Sequence, residues 1–240
     1  MRRLKIAGLD VVLAGGPDRE GGGDGPLLLL MHGYGAPGDD LVPLARQLAV
    51  APAVRFAFPA APLVIEMGLA PEHSGRAWWP IDMGELQRAV QERDFETLTG
   101  RVPVGLSEAR DQVTALLDAL EQDHSVSRSK LVLGGFSQGA MLATDLTLRS
   151  ERPPAGLAIL SGSLICKGEW IPLMKARAGL PVLQSHGRAD PVLSYEIAEQ
   201  LKQQLTDAGV ALEFVAFNGG HGIPSGAVDG LAKLITRATA

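Results

Sequence analysis

The chain has 240 residues, 46% of them hydrophobic and 20% charged, which excludes a disordered or fibrous protein and suits a single domain over residues 1–240. A net charge of −5 without any dense cluster of Lys and Arg excludes a nucleic-acid partner bound through its phosphates. Cys166 is the only cysteine, so no intramolecular disulfide can form, and we expect a reducing, cytoplasmic location.

The first sixty residues predict the order strand, helix, strand. Residues 4–14 are rich in apolar residues without helical spacing and predict an edge strand or hairpin. Because Lys5 and Asp10 interrupt the apolar run, we expect no signal peptide. Residues 27–31 predict a buried strand, and this longest strongly apolar run is too short for stable membrane insertion. A helix over residues 39–49 and a strand over residues 54–58 follow. This order is typical of a parallel sheet.

Residues 60–106 depart from that order, contain four prolines and predict a functional insertion or lid. Residues 85–98 predict a helix inside it. Trp78 and Trp79, two of the three tryptophans, are candidates for an apolar wall of the substrate site, together with Met83. The alternative is that the tryptophans only anchor the insertion to the core.

The second half of the chain returns to alternating helices and buried strands. Ser107 is expected to cap an amphipathic helix that ends near Asp123. The expected strands are 131–133, 156–160, 181–185 and 211–217, and the expected helices are 140–149, 194–208 and 225–236. The whole pattern predicts a mostly parallel central sheet with helices on both faces.

The sequence Gly-Phe-Ser-Gln-Gly at residues 135–139 separates a predicted buried strand from a predicted helix. In the pattern G-x-S-x-G, the glycines let strand and helix approach closely while the serine occupies a strained turn with its hydroxyl exposed. Ser137 is therefore the candidate nucleophile. The alternative, an ordinary loop with a chance match, does not account for the strand before and the helix after.

Ligands of a parallel sheet bind beyond the carboxyl ends of its strands, which is where Ser137, Asp190 and His221 lie. Their order along the chain is that of the α/β-hydrolase fold. His221 is expected to accept the proton of Ser137, and Asp190 is expected to hold the imidazole in the required tautomer. Asp207 and Asp229 are weaker candidates for the acid because they fall in predicted helices.

The other histidines compete poorly for the role of base. His73 lies in the insertion and His124 lies at a helix end, whereas His32 and His186 are expected to shape loops. Cys166 follows no elbow pattern and is expected to be a small core residue.

A tetrahedral intermediate also needs hydrogen-bond donors for its oxyanion. One is expected to be the backbone N–H of Gln138, directly after the nucleophile, and the other the N–H of Tyr34, in the loop after the strand of residues 27–31.

Five motifs share a family resemblance: residues 32–35, 78–82, 135–140, 186–192 and 220–221. Together they resemble the phospholipase/carboxylesterase family of α/β-hydrolases, which includes acyl-protein thioesterases and small bacterial carboxylesterases, and the resemblance spans nearly the whole chain. It implies hydrolysis of esters or thioesters by a serine, with no metal or organic cofactor. Family members commonly have Leu-Gly-Asp where residues 34–36 are Tyr-Gly-Ala, and they commonly lack Pro80. These differences lie around the substrate, so they bear on chain length.

Three functions compete. The leading hypothesis is a carboxylesterase that hydrolyses short- to medium-chain esters through an acyl-serine intermediate. The second is a thioesterase or lysophospholipase acting on longer acyl chains, and the third is a non-catalytic binding protein that kept the fold. A small-molecule ester is the expected partner. The sequence leaves the oligomeric state open, with a homodimer as one alternative.

Overall fold

The structure, a computed structural model, describes residues 1–66 and 74–239, which contain ten strands, eight α-helices and two short 3₁₀ helices. Residues 67–73 of the predicted insertion, with His73, lie outside the described residues. The strands are β1 (Arg2–Ile6), β2 (Leu9–Gly15), β3 (Leu27–Met31), β4 (Arg55–Pro59), β5 (Leu63–Ile65), β6 (Gly75–Ala77), β7 (Leu131–Phe136), β8 (Gly156–Leu160), β9 (Pro181–Gly187) and β10 (Ala211–Phe217). The helices are α1 (Leu44–Gln47), α2 (Met83–Gln91), α3 (Phe95–Gly100), α4 (Leu106–Asp123), α5 (Gln138–Arg149), α6 (Lys167–Met174), α7 (Tyr195–Asp207) and α8 (Ser225–Ala238).

Eight strands form the central sheet in the order β1-β2-β4-β3-β7-β8-β9-β10. The hairpin of β1 and β2 is antiparallel and pairs antiparallel with β4, while every pairing from β4 to β10 is parallel. The predicted edge hairpin and the mostly parallel sheet are confirmed.

The two faces of the sheet carry separate apolar layers, and β3 contributes to both. Leu27, Leu29 and Met31 pack into the layer under α4, α5, α6 and α7, whereas Leu28 and Leu30 pack into the layer under α1 and α8. All five residues are buried, because a strand between helices on both faces has no solvent side. The prediction of helices on both faces is confirmed.

The helix predicted over residues 39–49 is wrong in length, since only α1 is helical there. Residues 39–43 form turns in which Val42 N–H donates to Asp39 O at 3.1 Å. Pro43 has no N–H to donate to a carbonyl four residues earlier, so it cannot continue a helix from Asp39. Leu41, Leu44 and Leu48 are nevertheless buried, which is why the apolar spacing imitated a longer helix.

The insertion has its own small architecture. β5 and β6 form a two-stranded antiparallel sheet, and the helix predicted over residues 85–98 is two helices, α2 and α3. The break falls at Arg93, whose φ of +55° lies outside the helical region. α4 begins at Leu106, with Gly105 and not Ser107 at its N-cap. α6 was not predicted.

Candidate active site

Ser137 lies at a sharp turn between β7 and α5, with φ 53° and ψ −116°. Such a conformation is strained for a residue with a side chain, and here it leaves the hydroxyl free of helix capping. A Cβ on Gly135 would lie 2.4 Å from the carbonyl carbon of Gly139, and a Cβ on Gly139 would lie 2.1 Å from Met31 O. The two glycines of the motif are therefore required by close backbone approach.

Asp190 and His221 follow neighbouring strands, β9 and β10, and their side chains meet. His221 Nδ1 donates to Asp190 Oδ2 at 2.7 Å, which fixes the tautomer and leaves Nε2 to act as a base. The ring of Phe136 packs against the imidazole with 4.7 Å between centroids. His221 lines the same cavity as Ser137. The structure thus brings together the three residues that the sequence selected.

The Asp190 carboxylate is fully buried but well supplied with donors. Its Oδ1 accepts from the backbone N–H groups of Val192 at 2.8 Å and Leu193 at 3.0 Å. Burial alone would raise the pKa of Asp190, but the hydrogen bonds from His186, His221 and Leu193 outweigh it and hold the pKa well below its usual value. The carboxylate is therefore ionised at neutral pH, as an acceptor for His221 needs to be.

His186 is a second imidazole on this carboxylate, with Nε2 at 3.3 Å from Asp190 Oδ2. The same nitrogen donates to Leu193 O at 2.9 Å, so His186 ties the acid to the loop that follows it. His186 was expected only to shape a loop, and its contact with Asp190 was not predicted. Its position four residues before the acid, in the same strand-end segment, was the available signal.

The candidate oxyanion donors flank the nucleophile from two directions. Gln138 is the first residue of α5, so its N–H has no partner within the helix. In the loop after β3, Gly35 N–H donates to Arg76 O at 2.8 Å and Ala36 N–H to Gly33 O at 3.4 Å, which leaves Tyr34 N–H out of the loop's own bonding. Tyr34 and Gln138 both line the cavity that contains Ser137.

His32 connects the Tyr34 loop to the residues that follow β4. Its Nδ1 donates to Gly33 O at 2.8 Å, and its Nε2 accepts from Ala61 N–H at 2.9 Å, a pattern that requires the neutral ring. Burial lowers the pKa of His32, which agrees with that state. The side chain stabilises the loop conformation and does not reach the cavity lining in the described residues.

The cavity has a volume of about 620 Å³ and is lined mostly by apolar side chains from the insertion and the main body. Trp79 and Met83 line it, as the sequence analysis expected of substrate-binding residues. Trp78 differs from that expectation: it is not among the described lining residues, and its indole N–H donates to His32 O at 3.0 Å. Trp78 therefore anchors the insertion, which was the alternative.

The side chain of Gln138 has a function that the motif did not reveal. Its Oε1 accepts from Trp78 N–H at 2.9 Å and its Nε2 donates to Trp79 O at 2.8 Å. The buried amide pairs with the backbone of the tryptophan segment much as a neighbouring strand would. It fixes the insertion to the turn that carries Ser137.

Within residues 1–66 and 74–239, no group of three or more His, Cys, Asp or Glu side chains is placed to hold a metal ion. Helices in those ranges are each too short or too polar to span a bilayer. Cys166 is buried, and burial raises the pKa of its thiol to about 12, which disfavours the nucleophilic thiolate.

Comparison with known proteins finds relatives of this chain. The sequence profile of the family described as Phospholipase/Carboxylesterase matches residues 22–238. The acyl-protein thioesterase 1 of Mycosarcoma maydis is 29% identical over 206 residues, covering 78% of this chain and 80% of that protein. The putative hydrolase MhqD of Bacillus subtilis is 28% identical over 196 residues, covering 81% of this chain and 84% of that protein.

Solved structures show the same architecture. The crystal structure of esterase PE8 has a TM-score of 0.74 at 24% identity, covering 96% of this chain and 99% of that one. The Bacillus cereus carboxylesterase has a TM-score of 0.70 at 21% identity, covering 96% of this chain and 94% of that one. Both likenesses show a shared α/β-hydrolase fold.

Proposed function

Because this chain belongs to the phospholipase/carboxylesterase family, we propose that it is a serine hydrolase that cleaves short- to medium-chain carboxylic esters. The observation that carries the proposal is one cavity lined by both Ser137 and His221, with the imidazole held by Asp190 at 2.7 Å. A nucleophile and a base that face the same ligand space, with an ionised carboxylate behind the base, suit acyl transfer.

In the proposed reaction, Ser137 Oγ attacks the ester carbonyl carbon while His221 Nε2 takes the hydroxyl proton. The negative charge that develops on the carbonyl oxygen is stabilised by the N–H groups of Tyr34 and Gln138. The C–O bond to the alcohol then breaks, the alcohol leaves with the proton from His221, and the acyl group stays on Ser137. Water, deprotonated by the same imidazole, releases the acid and restores the serine.

The acyl chain is proposed to lie in the cavity against Trp79 and Met83. Its volume of about 620 Å³ falls inside the usual range of small-molecule sites, roughly 300–1,000 Å³. Each methylene buried there contributes about 0.8 kcal/mol, so kcat/KM should rise about fourfold per methylene until the apolar space is filled.

The test is the initial rate on p-nitrophenyl esters from acetyl to palmitoyl, for the parent and for Ser137→Ala. We expect the parent rate to peak between butyryl and octanoyl, and Ser137→Ala to lose at least about 10⁴-fold in kcat. Asp207→Asn, which changes an exposed helix residue, is the control and should leave the profile unchanged. Parental activity in Ser137→Ala would refute the mechanism.

A longer-chain function is the second candidate, supported by the apolar lining and by the thioesterase named among the relatives. A rate maximum at palmitoyl esters or thioesters would favour it over the short-chain proposal. A non-catalytic protein is the third, and covalent labelling of Ser137 by a fluorophosphonate would exclude it.

A further inference from the structure

Ser161 is a buried serine in an unfavourable backbone conformation, directly after β8. Its φ is +48°, in the left-handed region that side chains rarely adopt, and the residue is 0% exposed. Glycine would occupy this position without strain. Residues in strained conformations persist only where the surrounding structure holds them, and they cluster at functional sites.

The hydroxyl binds the loop that carries the candidate base. Ser161 Oγ donates to Gly222 O at 2.8 Å, and Gly222 is the residue directly after His221. Ser161 N–H donates to Ser185 O at 2.8 Å, on β9. The serine is thus fixed to the sheet by its backbone and extends its side chain to a loop 61 residues further along the chain.

Other hydrogen bonds from the described residues hold this loop ahead of His221 or at its ring. Arg188 N–H donates to Phe217 O at 2.9 Å and Ala189 N–H to Gly219 O at 3.0 Å, both ahead of the imidazole. Asp190 accepts from His221 Nδ1, which fixes the tautomer of the ring but not the position of the backbone that carries it. The hydrogen bond from Ser161 holds the carbonyl of Gly222, the residue directly after His221.

We propose that Ser161 is a positioning residue, whose left-handed backbone conformation aims its hydroxyl at Gly222 O and so fixes the approach of His221 to Ser137. The proposal rests on the proposed function, since it assigns Ser161 to the base of that reaction. Ser161 is not among the described residues that line the cavity, so it acts through the loop and not on the substrate.

The test compares Ser161→Ala with Ser161→Gly. Both lose the hydroxyl, but only glycine relieves the backbone strain, so Ser161→Gly should melt about 3 °C above Ser161→Ala. Displacement of the base slows chemistry without weakening substrate binding. We therefore expect both variants to lose a similar factor of about 10- to 100-fold in kcat, with KM within about twofold of the parent.

Two further variants separate positioning from folding. Ser125 has φ +51° and is exposed away from the cavity, so Ser125→Gly should raise Tm while leaving kcat unchanged. Ser161→Cys keeps a weak donor and should recover part of the lost kcat. Positioning is refuted if kcat is parental in folded Ser161→Ala and Ser161→Gly, or if it follows their Tm values.

The rate of fluorophosphonate labelling of Ser137 distinguishes this proposal from the proposed function. Labelling of the parent with unchanged rates in both Ser161 variants would overturn the role of Ser161 alone. Absence of labelling in the parent would overturn the serine mechanism and, with it, the role of Ser161. Slower labelling in both variants is the expected result.

Discussion

Asp190 has a side chain without solvent contact that nevertheless carries a charge. Burial alone would favour its neutral form, yet two backbone N–H groups and His221 Nδ1 donate to its oxygens, and His186 Nε2 lies 3.3 Å from Oδ2. Hydrogen bonds to a charged group each contribute about 1.5–3 kcal/mol, enough together to exceed the burial penalty. The folded state therefore binds a proton at Asp190 less readily than the unfolded state does.

This difference predicts a pH-dependent loss of stability in Asp190→Asn. A carboxyl whose folded pKa lies below its unfolded value of 3.8 stabilises the protein fully above that pH, and its contribution disappears as pH falls towards the folded pKa. Asp190→Asn should therefore cost about 2–4 kcal/mol at pH 7 and at pH 5, and less at pH 3. Urea unfolding of parent and variant at the three pH values measures it.

Asp207→Asn is the matched control, because Asp207 is exposed on α7 and should show no such pattern. Activity gives a second readout: Asp190→Asn should lose about 10⁴-fold in kcat because the imidazole is no longer held in the required tautomer. A constant difference in unfolding free energy down to pH 3 would contradict the assignment of the low pKa to Asp190.

The sequence could predict which residues meet at the site, but not all of their contacts. Ser137 comes directly after β7, Asp190 three residues after β9 and His221 four residues after β10, and parallel strands bring such positions together. His186 is the second-to-last residue of β9. Its spacing of four residues from Asp190 indicates proximity, but the contact itself depends on how the loop after β9 folds back. Trp78 and Trp79 are adjacent in sequence but face different neighbours, which composition cannot separate.

At the scale of elements, α2 and α3 line the cavity, and two ion pairs near the turn between them tie them to the main body. Arg93 pairs with Glu196 on α7 at 3.0 Å, and Lys167 on α6 pairs with Glu96 on α3 at 3.0 Å. All four side chains are partly or largely exposed. Exposed ion pairs contribute about 0–1 kcal/mol each, so these ties add little to global stability. Their effect is to hold α2 and α3 in place against α6 and α7.

Removal of both ties should loosen the helices without unfolding the protein. We expect Arg93→Ala/Lys167→Ala to lower the free energy of unfolding by less than about 2 kcal/mol while thermolysin cleaves residues 83–104 several times faster. In 1 M salt the parent should approach the double variant, because the Debye length falls to about 3 Å. Arg3→Ala breaks an equally exposed pair with Asp39 and should leave cleavage unchanged. Parental cleavage rates in the double variant would show that apolar packing alone holds α2 and α3.

The elements that the sequence did not predict have local physical causes. α6 contains Pro172 and buries Trp170, so its apolar residues do not repeat with helical spacing and the proline reads as a break. Trp170 Nε1 donates to the buried Asp145 on α5 at 2.8 Å, so α6 is held by a contact with another helix that its own sequence pattern does not show. By contrast, β3, α5 and β10 have bounds close to those expected. Buried strands and regular helices can be recognised from the spacing of apolar residues within the element itself.

At the scale of the whole molecule, the two ends of the sheet have different tasks. The carboxyl ends of β3, β7, β9 and β10 carry the candidate site, whereas Arg55, at the amino end of β4, serves stability. Its guanidinium is buried and donates to Gly25 O at 2.8 and 3.0 Å, to His124 O at 2.7 Å and to Ser125 O at 3.2 Å. One side chain thus joins the loop before β3 to the turn after α4.

We expect Arg55→Lys to destabilise the protein without changing its chemistry. A lysine ammonium lacks the planar fork that reaches three carbonyls, and buried carbonyls left unpaired cost about 1–3 kcal/mol each, so the loss should be about 2–4 kcal/mol. Because Arg55 lies at the end of the sheet opposite Ser137, kcat of the folded variant should equal that of the parent. Urea unfolding and ester hydrolysis at 20 °C measure both, with Arg46→Lys, exposed on α1, as the control expected to change neither. A fall in kcat with unchanged stability would mean that the two ends of the sheet are coupled, and not divided between stability and catalysis as this structure indicates.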